Sequence, residues 1–283
     1  MSDVNPKLRR PLPSSRSYEQ VLNHYLVEKE IAGRLKSADR AGRSRIYSGM
    51  YNELFARVPD HPRLTGARDS ASREARNRKA YALVERFVGP ETDFVEFAPG
   101  DCTFAYLVCG RARSVIGVDI SDQSAGIPPA PDNFRLRIYD GFSLDLQDAC
   151  ADVVFSDQFI EHLHPEDVDP HFRLVHRLLK AGGSYIFRTP HAFHGPFDIS
   201  AHFSDVAEGF HLKEWSYREL RHALRAAGFS SWRGGLKRRG RYHELPVGLF
   251  ADYEKMIGWL PHPARRIAAR ALLPRHIYFR AVA

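Results

Sequence analysis

Residues 93–102 read D-F-V-E-F-A-P-G-D-C, a short apolar run with Glu96 inside it, closed by a Pro-Gly break. The run has the length and make-up of a buried strand, and the break ends it in a tight turn. A carboxylate buried alone costs several kcal/mol (about 2–7), so Glu96 requires a cation or a ring of backbone N–H donors. Pro99 steers Ala98 away from helical angles, and Gly100 permits angles that other residues avoid. The loop is therefore built to bring its backbone close to a ligand.

Working outward, the chain after Pro90 alternates short β-rich runs, at 93–97, 114–118, 134–138, 151–156 and 184–188, with helical stretches. Such alternation predicts a parallel sheet with helices on both faces. Phe172, Val175, Leu178 and Leu179 form a core-facing helical stripe, and Gly182-Gly183 reads as the cap that ends it. Ser216 to Glu219 fits a capping box for the next helix, which closes at Gly228 before a sixth strand at 229–236. Helical stretches at 247–260 and 263–273 precede a last β-like run at 276–282. The expected fold is an α/β, Rossmann-like sheet of seven strands, the last antiparallel, with a helical insert at about 245–273.

Upstream, 17–36 and 40–57 show helical periodicity, V-P-D-H-P-R-L-T-G at 58–66 breaks it, and a third helix runs from about 70 to 88. The chain accordingly divides into a tail and helical extension over 1–88 and an α/β domain over 89–283.

In an open α/β sheet, ligands bind beyond the carboxyl ends of the strands, beside the first strand. Glu96 lies at that end. Asp119 closes the second strand, where nucleoside-binding folds place the acid that grips ribose hydroxyls, and Asp140-Gly141 closes the third. Three acids at consecutive strand ends outline one crevice.

The run from Asp93 to about Gly228 resembles the core of class I S-adenosylmethionine-dependent methyltransferases. Its most specific pieces are A-D-V-V-F-S-D-Q-F-I-E-H-L-H-P-E-D and H-R-L-L-K-A-G-G-S-Y-I-F-R-T-P-H, similar to the fourth and fifth strand region of the small-molecule, type 11/12 branch. The resemblance implies that Glu96, Ala98 and Gly100 line the methionine end of the cofactor. It likewise assigns Asp119 to the ribose, Asp140 and Gly141 to the border of the adenine, and Ser156 to Phe159, with Gln158, to the segment over the cofactor. The cofactor's ammonium is then the partner of Glu96. Family members usually carry glycine where this chain has Ala98 and Cys102. A nicotinamide-binding reading fails for want of G-x-G-x-x-G.

The net charge is +7 over 283 residues, with basic side chains spread along the chain. That balance favours anionic acceptors, but the dense run K-R-R-G-R at 237–241 falls at an expected hairpin tip with no interleaved aromatics, which argues against nucleic acid. Cys102, Cys109 and Cys150 have no C-x-x-C spacing and read as small packing side chains, and the N-terminal sequence lacks the apolar segment of a secretory signal. A cytosolic location is expected.

Methyl transfer to a hydroxyl gains from a base near neutrality, and histidine supplies one, with an ordinary pKa near 6.5. His162 and His164 follow the fourth strand, and His191 and His194 the fifth. His162, His164 and His191 are the candidate bases, with His162 first. A metal site from H-x-H plus H-x-x-H is set aside and no metal is expected, although Asp157, Glu161 and Asp198 leave room for one. The N-terminal helices and the insert, with Tyr18, Tyr25, Tyr47, Tyr51, Phe250, Tyr253 and Trp259, are the available lids. Arg265, Arg266 and Arg270 opposite Ile267 and Leu272 form an arrangement that could rest on an acidic membrane surface. The expected activity is O-methylation of a small molecule such as a sugar, a lipid-linked glycan or a natural-product intermediate. A non-catalytic cofactor-binding partner and an RNA methyltransferase are the rivals.

Overall fold

Alternation within the first strand sets the layers. In β1 (Asp93–Phe97), Val95 and Phe97 enter one apolar cluster while Phe94 enters another, as successive side chains of a strand point to opposite faces. The same split recurs in β4 (Ala151–Asp157), where Val154 joins the first cluster and Val153 and Phe155 the second. Glu96 therefore lies on the face of Phe94. The computed structural model describes residues 6–66, 70–124, 127, 129–238 and 241–283.

Around this pair run β2 (Ser114–Asp119), β3 (Phe134–Ile138) and β5 (Leu179–Pro190), so that β1 to β5 pair with one another in parallel. Beyond β5 come β6 (Ser231–Arg238), β7 (Arg241–Pro246) and β8 (His276–Val282), giving the order β3-β2-β1-β4-β5-β8-β6-β7. β8 is antiparallel to both β5 and β6. The sheet thus has the expected mixed form, and an edge hairpin of β6 and β7 extends the expected seven strands by one. Arg239 and Gly240 of the basic run lie outside the described residues.

Helices cover both faces. The helix α4 (Ser70–Val84) and α5 (Thr103–Cys109) pack on one side, and α6 (Pro165–Leu178), α7 (Tyr217–Ala226), α8 (Val247–Ile257) and α9 (His262–Leu272) on the other. Gly182-Gly183 does not cap α6: the helix already ends at Leu178, capped by Leu179, and the two glycines lie within β5 where its register with β4 shifts. A Cβ on Gly183 would stand 2.9 Å from the Lys180 carbonyl oxygen, so this bend has room only for glycine. The capping box of Ser216 and Glu219 forms as its spacing predicts. Glu254 of α8, 2% exposed, also receives the Tyr217 and Arg218 backbone N–H groups, tying the insert to the start of α7.

The first helices, α1 (Tyr18–Ser37) and α2 (Arg40–Arg57), share a core with Phe210 and Leu212, and the short α3 (Pro62–Gly66) follows. Arg43 of α2 forms a bidentate pair with Asp167 of α6 at 2.7 and 2.8 Å, both side chains nearly fully buried. The extension is thereby fixed across the carboxyl edge of the sheet. Among the described residues no helix is long and apolar enough to cross a membrane.

Candidate active site

The loop after β1 is held down by its neighbours. The Ala98 N–H donates to the Val118 carbonyl at 2.8 Å, and Gly100 N–H to Asp119 Oδ2 at 3.2 Å. Pro99 lies over Gly117, where an added Cβ would meet Pro99 Cγ at 3.1 Å. Ala98, Gly100 and Cys102 take φ of 55°, 55° and 59°, all left-handed. That explains why glycine suits this loop, and here Ala98 and Cys102 carry the conformation at roughly 1 kcal/mol or more each. Pro99 thus leaves Ala98 not extended but left-handed. Cys102 is fully buried among the side chains of α4 and α5, so its thiol points into the core.

Glu96 is 5% exposed, and among the described residues its Oε2 has no hydrogen-bond partner. Burial, reinforced by Asp157, Asp101 and Asp119, pushes its carboxyl well above the ordinary range. Gln158, at φ 56° just past β4, leaves its buried Nε2 equally without a partner. An orphan acceptor and an orphan donor at the ends of adjacent strands suit the ammonium and carboxylate of an amino acid. Asp119 Oδ1 accepts from Ile120 N–H at 2.7 Å and Ser121 N–H at 3.4 Å. Burial raises its pKa against those bonds, which favours donors such as ribose hydroxyls arriving at its remaining lone pairs.

Asp140 is exposed and spends Oδ1 on the N–H groups of Phe142 and Ser143, while Gly141 takes φ 88° beneath Tyr47 of α2. Ser156 differs from expectation. Its hydroxyl, 1% exposed, bonds to the Tyr185 hydroxyl at 2.8 Å.

The candidate bases separate clearly. His164 is the N-cap of α6, its Nδ1 accepting from Glu166 N–H, and its own N–H donates to Tyr47 Oη. His191 is 0% exposed and its Nδ1 accepts from Phe193 N–H. Its Nε2 lies 3.0 Å from Glu254 Oε1 but out of line for a hydrogen bond. Both imidazoles spend Nδ1 on a backbone N–H, which gives each a structural role in its loop. His194, bonded to the Leu273 carbonyl, is likewise buried.

His162 remains. Its Nδ1 stands 2.9 Å from the Phe210 carbonyl oxygen, which can only accept, so Nδ1 carries the proton and Nε2 the lone pair. Glu28 of α1 positions that carbonyl by accepting Phe210 N–H at 3.1 Å. Burial, with help from His211 and Arg63, lowers the His162 pKa well below its ordinary value, not near 6.5 as the sequence suggested. Beside it lie Glu161, fully buried with its pKa pushed up to about 7 by burial, and His211, whose ring centroid is 5.1 Å from that of His162. His211 escaped the sequence reading because nothing near it in the chain resembles a site; a long loop folded over the sheet edge delivers it.

A parallel α/β core that carries Glu96 and Asp119 at the carboxyl ends of its first two strands, with a left-handed loop between β1 and α5, has a Rossmann-like fold. The segment 95–187 matches the family described as methyltransferase domain, and in that segment the chain is similar to class I S-adenosylmethionine-dependent methyltransferases of the type 11-like branch. Among solved structures, phosphoethanolamine N-methyltransferase 1 of Haemonchus contortus aligns at 15% identity and TM-score 0.53, over 85% of this chain and 50% of that one. An S-adenosylmethionine-dependent methyltransferase from Mesorhizobium loti aligns at 19% and 0.48, over 73% and 98%, and one from Archaeoglobus fulgidus at 18% and 0.48, over 75% and 94%. These are likenesses of fold. No curated protein matches the sequence. The cofactor is S-adenosylmethionine, and the orphan atoms of Glu96 and Gln158 fit its amino-acid end. When bound, it supplies an electrophilic methyl group on a sulfonium.

Proposed function

We propose that this chain transfers the methyl group to a hydroxyl of a small, anionic acceptor. The observation that carries the reading is His162: an imidazole kept neutral by burial, its tautomer fixed by Phe210, with Nε2 as its basic nitrogen. A hydroxyl must lose its proton as it attacks, and such a group assists at neutral pH. Positioning supplies much of the remaining acceleration, about 7–11 kcal/mol in well-oriented reactions.

An arginine-lined pocket supports the anionic acceptor. Arg10, Arg266, Arg270 and Arg275 line a pocket of about 480 Å³ with His194 and Leu273, next to the carboxyl end of β5. Among the described residues none of the four arginines is within ion-pair distance of a carboxylate. Trp259, Ile267 and Leu272 of the same insert are 79%, 69% and 61% exposed, which suits a lipid-linked glycan presented at a membrane surface. We read residues 1–88 as an extension that closes the site, and three cysteines without disulfides as the mark of a reducing cytosol.

The test is acceptor-dependent release of S-adenosylhomocysteine across sugars, phosphosugars and lipid-linked glycans, using a cofactor with a carbon-13 methyl. The expected product shows the methyl resonance of an ether. An amine-bound or carbon-bound methyl, or no turnover with any hydroxyl acceptor, rejects the reading.

A further inference from the structure

We infer that Glu161, His162 and His211 form a binding site for one divalent first-row transition-metal ion of the manganese-to-zinc series. The ligand atoms they offer lie within 4.8 Å of one another. Bonds of about 2.0–2.2 Å place ligand atoms roughly 3–4 Å apart, so a contraction of about 1 Å closes the set.

Three details point to a ligand more than to packing. Glu161 spends Oε2 on the Thr189 hydroxyl at 2.9 Å, and among the described residues its fully buried Oε1 has no partner. His162 directs Nδ1 to the Phe210 carbonyl, and His211 directs Nδ1 to Glu214 Oε1, each at 2.9 Å. Both rings therefore present Nε2 to the cluster while a carbonyl and a carboxylate hold their other nitrogen, which is how metal-binding histidines are oriented. Glu214 is itself fixed by Phe197 N–H at 2.7 Å.

The second buried group of this kind, His24, Glu28 and His61, shows the contrast. There the Arg16 guanidinium already stands 2.9 Å from His24 Nδ1, Glu28 binds both His24 and Phe210 N–H, and His61 Nδ1 accepts from Arg63 N–H. That group is satisfied by the protein itself. At Glu161 the protein leaves an acceptor bare.

Two imidazoles and one carboxylate favour a borderline ion over magnesium, and three protein ligands leave positions for the acceptor oxygen. This rests on the O-methylation reading for its catalytic role and changes the part of His162 in it: with the ion bound, Nε2 is a ligand, and the ion in place of the imidazole makes the hydroxyl acidic. The acceptor hydroxyl coordinates the ion, its proton leaves to solvent, and its oxygen forms a bond to the methyl carbon. The carbon–sulfur bond breaks in the same step, its electron pair staying on sulfur, so the products are an ether, S-adenosylhomocysteine and a proton.

The experiment titrates chelator-treated full-length protein with Mn²⁺, Co²⁺, Zn²⁺ and Mg²⁺ by calorimetry, with the visible spectrum of the Co²⁺ form as a second readout. We expect one equivalent of Mn²⁺, Co²⁺ or Zn²⁺ to bind more tightly than Mg²⁺. Glu161→Gln and His211→Asn should each weaken it at least tenfold and change the Co²⁺ spectrum. Unchanged S-adenosylmethionine binding shows that each variant is folded; where one is not, the other carries the comparison. Absence of stoichiometric binding in the wild type, preference for Mg²⁺, or undiminished binding in the folded variants overturns the site. Metal binding without hydroxyl methylation keeps the site and rejects only the reaction assigned to it.

Discussion

At the scale of single residues the site is organised by what its side chains lack. Burial and the acids around it raise the Glu96 carboxyl well above its ordinary range, and a ligand ammonium reverses that shift. Cofactor binding should therefore release a proton, up to about one per site near neutral pH. Calorimetry in buffers of different ionisation enthalpy reads this directly. Glu96→Gln should abolish the release and weaken binding, whereas identical proton counts in wild type and variant would detach Glu96 from the cofactor. Asp119→Ala removes charge-assisted hydrogen bonds worth about 1.5–3 kcal/mol each and should cost at least tenfold in affinity. Undiminished affinity in folded Asp119→Ala moves the ribose elsewhere. These two residues were legible because a strand end exposes its role in the chain itself: an acid at the close of an apolar run. Glu161, His162 and His211 were only partly legible. Two sit in the E-H-L segment, but the third arrives through a loop whose path depends on Asp198 and Ser200 receiving the N–H of Gly209.

At the scale of elements, the strands at 93–97 and 134–138 agree with their periodicity residue for residue, because each is bounded by turn residues and buried at least on one side. The end of α6 was misread since Gly182-Gly183 looks like a helix cap, whereas the bend it makes belongs to the edge between β4 and β5. The hairpin expected at 237–241 forms, but its second arm, β7, was not counted as a strand because R-Y-H-E-L-P is polar and closes on proline, and only pairing with β6 makes it one. What no local pattern announces is the fastening of α2 to α6 through Arg43 and Asp167, two helices far apart in sequence. Breaking a buried ion pair from one side leaves an uncompensated charge, at about 3–5 kcal/mol. Arg43→Ala should accordingly lower the denaturant midpoint and loosen α2, which carries Tyr47 over Gly141 and holds the His164 N–H through its hydroxyl. A loss below about 1 kcal/mol, with cofactor affinity unmoved, would mean that the extension is fastened chiefly by the apolar core around Ile31, Leu35 and Leu54.

At the scale of the whole molecule, the buried imidazoles set the response to acid. Burial lowers the pKa of His171 to about 3 and of His61 and His194 to about 4, so all three are neutral in the folded chain at pH 5. In the unfolded chain they titrate near 6.5. Below that value the unfolded state binds protons that the folded state refuses, and stability falls as pH drops toward 4. Each should cost about 2 kcal/mol at pH 5 relative to pH 7.5, an upper value given residual solvation. Glu96 and Glu161 act in the opposite sense. Their folded pKa values are raised, so the stability they contribute is fully present below their ordinary range and is lost as pH rises through the folded value, about 7 for Glu161. The three imidazoles thus give the ligand-free protein an acid limb, and the two carboxyls oppose it on the alkaline side. Thermal melts from pH 4 to 9 should show the acid limb, and His171→Phe should flatten it, because the ring packs against Phe97 and Phe159 and its one hydrogen bond among the described residues is to Tyr185. S-adenosylmethionine should then raise the melting temperature more at pH 8 than at pH 5, where Glu96 must give up its proton to receive the ammonium. Equal shifts at both values would show that the buried carboxylate is not coupled to the ligand at all.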